Sequence, residues 1–518
     1  MQLGILDLIV FIAFFGVVIS VSMYKSRREE TGEDFFLAGR SLHWPLIGLS
    51  LIAANISTEH FVGMAGQGAG VAGMAIASYE WMAAIVLVLV ALFFLPTFLR
   101  TGIFTMPEYL EYRFNPNARA IMAFYTMVIY VGVTIAAVIY SGGLTLQTLF
   151  GDIHNPAHLR AGAWVIGGIA ALYTIWGGLK AVAWADLFQG SALIIGGAIT
   201  MVLGFIAVGG VDSFFQENSE KMHMILPGDH SVLPWTALLI GLWIPNFYYW
   251  GLNQYITQRT LAANTLRQGQ LGVIFAAFLK LIIPFIIIFP GIMAYQLYGD
   301  MMTGEGGTDA AYPLLIRNLV TPGVRAFIFA AISGAVISSL ASMLNSASTI
   351  FTMDLFKRHW KKDASQKTLI LTGRLTTAIF VLIGCVIAPY LGDPRFMGIF
   401  TYIQEFQGYI SPGILAAFVF GLFIKRAPDI AGVAGLVLTV PVYGFLQWQF
   451  NDIAFLNRMA ITFAILLVVM SSITLLKPLA EPVKLPVKED FDMRPTPSVA
   501  WLGAGVIVVT LVLYIIFW

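Results

Sequence analysis

Two residues of opposite charge lie within stretches of this chain that are otherwise apolar and long enough to cross a bilayer. Glu80 lies in GMAIASYEWMAAIVLVLV, and Lys280 lies in GVIFAAFLKLIIPFIIIF. A charge at the centre of a bilayer costs about 2.5–3.5 kcal/mol on insertion scales, so such residues usually face a polar cavity or pair with one another. The sequence therefore predicts a membrane protein with a hydrated site near mid-depth, lined in part by these two side chains.

The composition supports a membrane protein. Hydrophobic residues make up 58% of the chain and charged residues only 11%, whereas soluble domains carry about 25% charged residues. The net charge of +1 gives no indication of a nucleic acid partner. The single cysteine, Cys385, excludes a disulfide framework and a cysteine-based metal site. We find no nucleotide-binding loop or zinc-ligand cluster, and expect no cofactor.

The apolar stretches predict an all-α protein with about fourteen spans, the first being a true span rather than a cleaved signal. The spans are predicted near residues 5–23, 44–69, 73–98, 119–148, 160–178, 182–209, 232–257, 270–297, 322–352, 370–391, 397–424, 430–449, 457–476 and 499–517. Two connections are longer than the rest, 298–321 and 477–498, but neither is long enough for a soluble domain.

The distribution of basic residues predicts the orientation. If the N-terminus is outside, 22 of the 29 lysines and arginines fall in inner loops, 6 fall in outer loops, and the remaining one is Lys280. Basic residues are enriched in cytoplasmic loops. We therefore expect both termini outside the cytoplasm, in what is expected to be a bacterial inner membrane.

Two spans are interrupted. The second carries a polar run at mid-depth, made of Asn55, Ser57, Thr58, Glu59 and His60. The seventh is broken by Pro245 and Gly251, close to Asn246 and Asn253. Broken spans at matching positions of two halves indicate a transporter site. They begin two five-span blocks, 44–209 and 232–449, which we predict to be inverted repeats, flanked by 1–43 and 457–518.

Four polar residues in four different spans suggest a site for a neutral, hydroxyl-rich ligand: Glu80, Asn246, Lys280 and Gln404. Three aromatic residues offer walls on which a sugar ring can stack, namely Tyr249, Trp250 and Phe400. His60 is either a further ligand or a packing residue. The alternative for Glu80 and Lys280 is a purely structural ion pair.

Hydroxyl groups form a second polar cluster. Ser338 and Ser339 lie in the small-residue run SGAVISSLASMLNSAS. Their oxygens suit an alkali cation, although small residues also simply allow helices to pack closely. Asp186 is predicted either as a solvated carboxylate at the start of its span or as part of an ion exit path.

Several long segments resemble the sodium:solute symporter family, and within it the sodium/glucose and sodium/galactose cotransporters. The resemblance covers nearly the whole chain, and its segments include EDFFLAGRSLHWPLIGLSLIAANIS, IASYEWMAA, TMPEYLEYRF, LYTIWGGLKAVAWAD, YYWGLNQYITQRTLAA, FAAFLKL, DAAYPLL, SSLASMLNSASTIFTMDLF and YIQEFQGYISPGIL. It implies a LeuT-like five-plus-five inverted repeat with flanking helices.

The resemblance also implies roles for individual residues. The implied sugar ligands are His60, Glu80, Asn246, Lys280 and Gln404. The implied sodium ligands are the carbonyls of Ala53, Ile56 and Ala335 and the hydroxyls of Ser338 and Ser339. The implied outer gate is Met64, Tyr79 and Phe400, and the implied inner gate is Tyr249, with Trp250 beside it. The possible sodium path contains Asp186 and Ser342.

We therefore expect a sodium-coupled symporter that imports a hexose by alternating access, with sodium as co-substrate. The alternatives are symport of another solute, such as an inositol or a carboxylate, and, in a different class, a membrane-embedded enzyme. The chain departs from the bacterial galactose pattern at His60 and Ala83, where it is more similar to the animal glucose transporters, so the preferred hexose stays open. Ala341 stands where family members with a second sodium have threonine, which implies one sodium per sugar.

Overall fold

The computed structural model describes residues 5–26, 31–56, 59–150, 156–230, 232–302, 307–392, 399–489, 491–494 and 496–518. Within these ranges the regular structure is helical, apart from one isolated bridge between Leu42 and Ala263. The α-helices are α1 (Ile5–Lys25), α2 (Gly32–Leu37), α3 (Trp44–Asn55), α4 (Ala65–Ala69), α5 (Ser78–Leu89), α6 (Leu95–Thr101), α7 (Met106–Arg113), α8 (Pro116–Ile129), α9 (Ile135–Phe150), α10 (Pro156–Ala207), α11 (Val211–Glu217), α12 (Trp243–Phe247), α13 (Gln254–Leu261), α14 (Leu266–Tyr298), α15 (Ala311–Leu319), α16 (Val324–Ile350), α17 (Gln366–Ile387), α18 (Ile399–Gln407), α19 (Ser411–Phe423), α20 (Asp429–Gln449), α21 (Phe455–Leu476) and α22 (Pro497–Ile516). π-helical turns lie at Glu59–Met64, Val90–Phe94, Tyr130–Thr134, Ala237–Gly241, Tyr248–Leu252 and Phe351–Trp360.

The predicted spans all fall on helical segments. Among the described residues, nine helices are long and apolar enough to cross a membrane, and the bent pair Trp44–Asn55 and His60–Ala69 makes a tenth. Three further predicted spans correspond to shorter apolar helices, namely Ile9–Lys25, Ala157–Leu172 and Ser411–Phe423. The remaining predicted span, near 232–257, consists of short helices and π turns, with Pro245 inside the short helix α12.

The fifth and sixth predicted spans are joined without a loop. Both belong to α10, which breaks at Gly178, where the backbone adopts φ +51° and ψ −164°. Glycine tolerates this conformation because it has no Cβ. A single residue therefore divides the two spans that the apolar pattern predicted as separate.

Burial differs sharply between the spans. In the most apolar stretch of the span Val324–Trp360, 94% of the residues are buried. In the corresponding stretches of α21 and α22, only 22% of the residues are buried. The serine-rich α16 therefore lies at the centre of the protein, and the two C-terminal helices lie at its periphery. Small residues suit this central position because they let neighbouring backbones approach closely.

Both predicted breaks are present. In the first, α3 ends at Asn55 and Ile56 has extended backbone (φ −75°, ψ 102°), and the helices on either side are inclined by 59°. In the second, Asn253 is extended (φ −76°, ψ 122°) between the π turn Tyr248–Leu252 and α13. Ser57 and Thr58, predicted as part of the first break, lie outside the described residues.

The connection 298–321, predicted only as a long loop, contains a helix. Its last part forms α15, and the ring of Tyr312 packs edge-on against Phe61 with the centroids 4.8 Å apart. The Tyr312 hydroxyl donates a hydrogen bond to the carbonyl of Ile286 at 3.3 Å. This connection therefore packs against the first broken span.

Candidate functional site

A cleft of about 490 Å³, including its open mouth, lies where the two broken spans meet α5 and α18. The broken spans contribute Asn55, His60, Met64, Asn246, Tyr249 and Trp250. The other two helices contribute Tyr79, Glu80, Phe400, Gln404 and Gln407.

The structure thus brings together the residues predicted as sugar ligands and gates. All of them line the cleft except Lys280, which is fully buried behind it. Asn55 and Gln407 also line the cleft but were not among the predicted ligands. The sequence held a signal for both, since Asn55 belongs to the polar run of the first break and Gln407 follows Gln404 by three residues, on the same helix face.

The two membrane-embedded charges form an ion pair beneath the cleft. The Lys280 ammonium donates hydrogen bonds to Oε2 of Glu80 and to Oδ1 of Asn55. It also lies 4.8 Å from the ring centroid of Trp250, in a cation–π contact. The other carboxylate oxygen of Glu80 lies 3.3 Å from Nε2 of His60. The floor of the cleft is therefore polar, and its two charges neutralise each other.

A chain of hydrogen bonds leads away from this ion pair. Nδ2 of Asn55 donates to the Tyr249 hydroxyl at 3.0 Å, and the Tyr255 hydroxyl donates to the same oxygen at 2.5 Å. Asn55, at the last position of α3, therefore joins Lys280 to the aromatic side chains of the second broken span. These contacts therefore connect the two broken spans.

Aromatic side chains form the walls of the cleft. Tyr79 and Phe400 meet edge to face with their centroids 5.0 Å apart. Tyr249 and Trp250 meet in the same way at 5.1 Å. Each of these pairs combines ring faces and edges, which suits the C–H faces of a carbohydrate ring. Met64 lines the cleft beside them.

Three buried polar atoms beside the cleft have no hydrogen-bond partner among the described residues. They are Nδ1 of His60, the hydroxyl of Tyr79 and Oε1 of Gln404. An unpaired buried polar group costs about 1–3 kcal/mol, so such groups are rare unless a ligand or water pairs with them. These atoms lie on the first broken span, α5 and α18, the elements that meet at the cleft, so a polar ligand bound there would give them partners.

The predicted sodium ligands lie where α16 passes the end of α3. The Ser339 hydroxyl donates to the carbonyl of Ala54 at 3.0 Å and lies 3.4 Å from that of Ala53. Ile56, the next predicted ligand, is the first residue of the break, and Ala335 is buried one turn before Ser339. The last carbonyls of a helix have no intrahelical partner. The arrangement therefore offers several hard oxygen atoms in one place.

Asp186 is not a solvated carboxylate, which corrects one of the two alternatives above. It is fully buried and forms an ion pair with Arg259, Nη2 to Oδ2 being 2.9 Å. It also accepts hydrogen bonds from the hydroxyls of Ser50 and Ser338. Arg259 in turn donates to Ser50 at 2.6 Å and to the Ser342 hydroxyl. The sequence pattern gives no indication that Arg259 pairs with Asp186, because it places Arg259 among the 22 basic residues of the inner loops.

Comparisons with known proteins were made for the whole chain. The model of the sodium:solute symporter family matches residues 35–438. A sodium/glucose cotransporter of Vibrio parahaemolyticus is 40% identical over 549 aligned positions, covering 100% of this chain and 99% of that protein. A sodium/myo-inositol cotransporter 2 of Oryctolagus cuniculus is 33% identical over 481 positions, covering 85% of this chain and 69% of that protein.

A solved structure also matches. The substrate-bound, outward-open structure of a Na⁺-coupled sialic acid symporter aligns with a TM-score of 0.81 at 23% identity, covering 93% of this chain and 100% of that one. The LeuT-like helical fold expected from the resemblance is confirmed, and the proteins that this chain resembles are transporters rather than enzymes. The chain is a multi-pass integral membrane protein and belongs to the sodium:solute symporter family.

Proposed function

We propose that this protein is a symporter that uses inward sodium flow to import a hexose by alternating access. The observation that carries the proposal is the set of unpaired polar atoms on His60, Tyr79 and Gln404 around a cleft whose floor is charge-balanced. Sugar hydroxyls both donate and accept, so one ring with several hydroxyls pairs with all three atoms.

The charge balance favours a neutral substrate. A carboxylate substrate requires a free positive charge or a helix N-terminus. Lys280 is already paired with Glu80 and Asn55 and is not exposed to the cleft. We therefore assign Glu80 as an acceptor for substrate hydroxyls and Lys280 as the group that pairs with Glu80 and holds it in place.

The remaining polar side chains and the aromatic pairs complete the proposed site. His60, Asn246 and Gln404 supply hydrogen bonds from three sides, and Tyr79 with Phe400 covers one wall. We propose that Met64, Tyr79 and Phe400 act as the outer gate and Tyr249 as the inner gate, with Trp250 beside it. A site closed by side chains on separate helices opens to one side when those helices tilt apart.

Sodium is proposed to bind at the carbonyls of Ala53, Ile56 and Ala335 and the hydroxyls of Ser338 and Ser339. This position supplies a physical basis for coupling. A cation held by the end of α3 fixes the backbone of the first break, and the same break carries Asn55 and His60 into the cleft. Sodium binding therefore orders part of the sugar site, so each ligand favours binding of the other.

We propose a stoichiometry of one sodium per sugar. Ala341 has a methyl group where a second cation would need an oxygen. Both Asp186 and Ser342, the proposed path residues, already bond to Arg259. A second cation at Asp186 would have to displace this guanidinium in a fully buried position, and a poorly coordinated cation does not recover its dehydration energy.

The second candidate substrate is myo-inositol. It is a neutral ring of hydroxyl-bearing carbons, so the same polar atoms and aromatic walls suit it. The 33% identity to a sodium/myo-inositol cotransporter favours it specifically. The two candidates differ in the ring oxygen and the hydroxymethyl group of a hexose, so a solute panel separates them.

The proposed membrane arrangement places both termini outside the cytoplasm of a bacterial inner membrane. It rests on the bias of basic residues along the sequence. The blocks 44–209 and 232–449 are proposed as the inverted repeats, because each begins with a span in which a residue with extended backbone ends a helical segment, Ile56 in the first and Asn253 in the second.

The test is uptake into proteoliposomes containing the purified protein. Radiolabelled glucose, galactose, myo-inositol and a monocarboxylate are compared with an inward sodium gradient and with a potassium gradient of equal size. We expect sodium-dependent accumulation of a hexose. Sodium-dependent accumulation of inositol alone establishes the second candidate, and equal uptake in both gradients refutes sodium symport.

A further inference from the structure

The connection between α21 and α22 runs across the ends of other helices instead of forming a free loop. We call its residues 479–488 the strap. The N–H of Val483 donates to the carbonyl of Lys425, just beyond α19, at 3.1 Å, and the N–H of Lys488 donates to the carbonyl of Arg100 in α6 at 2.7 Å. The N–H of Leu479 also donates to the carbonyl of Arg426 at 2.9 Å. Backbone hydrogen bonds therefore fix the strap in two places, just beyond α19 and in α6.

A cavity lies beneath the strap, between its two points of attachment. It measures about 1490 Å³ including its open mouth, and α6, α7, α19 and the strap line it. Pro482 and Pro486 are in the strap and face this cavity. Proline restricts its own φ angle and favours extended backbone in the preceding residue. The strap therefore crosses the cavity as a segment with restricted backbone angles.

The cavity is strongly basic. Arg100, Arg113, Lys425 and Lys484 line it, against one carboxylate, that of Glu481. Among the described residues, none of these four cations forms an ion pair. Arg100, Lys425 and Lys484 are exposed and Arg113 is buried, and a local excess of positive charge of this kind attracts anions.

Arg113 is the innermost of these cations. Its side chain is buried, with only 2% of the residue exposed, and its guanidinium donates to the carbonyls of Gly421 at 2.8 Å and Ile424 at 2.7 Å. Its Nη1 also donates to the carbonyl of Ala427 at 3.2 Å. These carbonyls carry no charge, and the carboxylate that acts on Arg113 is that of Asp429, which forms no ion pair with it among the described residues. Lys488 differs, because its ammonium lies 3.6 Å from the carboxylate of Glu33.

An apolar surface leads from the membrane-facing side into this cavity. Phe93, Pro96, Thr97 and Arg100 are spaced three and four residues apart, so they follow one face of the helix. Phe93 is 55% exposed, and the last three line the cavity. Phe423, at the end of α19, is 60% exposed. One helix face therefore passes from an apolar, lipid-accessible surface to a basic recess.

We propose that this cavity binds the headgroup of an anionic phospholipid, with an acyl chain lying along the face that carries Phe93. The phosphate pairs with Arg100, Lys425 and Lys484, and the positive field of Arg113 lies behind it. Basic pockets between membrane helices on the cytoplasmic side are suited to anionic headgroups. The apolar approach favours a lipid over a free anion. The proposal does not depend on which solute the protein transports.

The experiment measures lipid retention by native mass spectrometry of the full-length protein in detergent. The probes are phosphatidylglycerol, which is anionic, and phosphatidylcholine of the same chain length, each added at increasing concentration. The test variant combines Arg100→Gln, Lys425→Gln and Lys484→Gln. The matched control replaces three exposed lysines outside the cavity by glutamine, namely Lys361, Lys362 and Lys477.

We expect the parent protein and the control to retain phosphatidylglycerol in preference to phosphatidylcholine. If each of the three basic residues that pair with the phosphate contributes about a fivefold preference for anionic lipid, the test variant should lose roughly 100-fold, whereas the control keeps all three. Unchanged retention in the test variant, or equal retention of both lipids by the parent, overturns the proposal. Displacement of the lipid by millimolar inorganic phosphate also overturns it and assigns the cavity to a free anion. An unchanged apparent Tm for the test variant shows that it is folded.

Discussion

Substitutions in the ion pair between Glu80 and Lys280 should affect stability and transport differently. In Lys280→Met an apolar side chain of similar volume replaces the ammonium and leaves the Glu80 carboxylate buried without its main partner. Removing one partner of a buried ion pair costs about 3–5 kcal/mol. His60 remains 3.3 Å from one carboxylate oxygen, so we expect the lower end of this range, about 3 kcal/mol.

The double variant Glu80→Gln/Lys280→Met removes both charges and should recover most of that loss, because no charge remains unpaired. Denaturant unfolding in detergent measures the stability of both variants, with the exposed Lys361→Met as a control expected to change it by less than about 0.5 kcal/mol. Uptake in proteoliposomes measures transport. We expect the double variant to regain stability but not transport, because Glu80 is a proposed sugar ligand.

Two results would refute this reasoning. If Lys280→Met is as stable as the parent protein, the Glu80 carboxylate does not depend on Lys280 and the burial argument is wrong. If the double variant transports sugar as well as the parent, the pair has only a structural role and the assignment of Glu80 to sugar binding fails.

Four further predictions concern sodium, sugar and topology. Ser339→Ala should raise the sodium concentration needed for half-maximal uptake, since it removes an oxygen ligand; unchanged sodium dependence would favour a packing role for this serine. Gln404→Ala should abolish sugar accumulation without unfolding the protein, because it removes a proposed substrate contact, and normal accumulation would exclude that role. A cysteine at Lys362 should react with a membrane-impermeant reagent only from the cytoplasmic side, the one native cysteine being buried, and reaction from outside would reverse the topology. The reversal potential in proteoliposomes should give one sodium per sugar, because Asp186 is already paired with Arg259, and a ratio near two would redirect attention to that carboxylate.

Much of the site could be predicted because its signals are local. Glu80 and Lys280 stand out since each is a single charge in an apolar span, and the cost of burying such a charge implies a partner. The breaks at Ile56 and Asn253 were predictable because polar residues cluster at mid-depth in both spans, and a glycine and a proline lie close to the second. The order of apolar and polar segments along the chain was therefore enough to predict the spans, the breaks and the charged floor of the cleft.

Other features depend on how distant helices pack. Nothing near Asp186 in the sequence indicates that its partner is Arg259, 73 residues away. Likewise, the strap covers a basic cavity only because α6, α7 and α19 end side by side. Apolar pattern and residue type determine where a chain crosses the membrane, since that depends on local transfer free energy. Tertiary packing decides which buried charges pair with each other and which polar atoms stay unpaired at the proposed substrate site. These contacts join residues that are distant in the sequence, so no local pattern relates them.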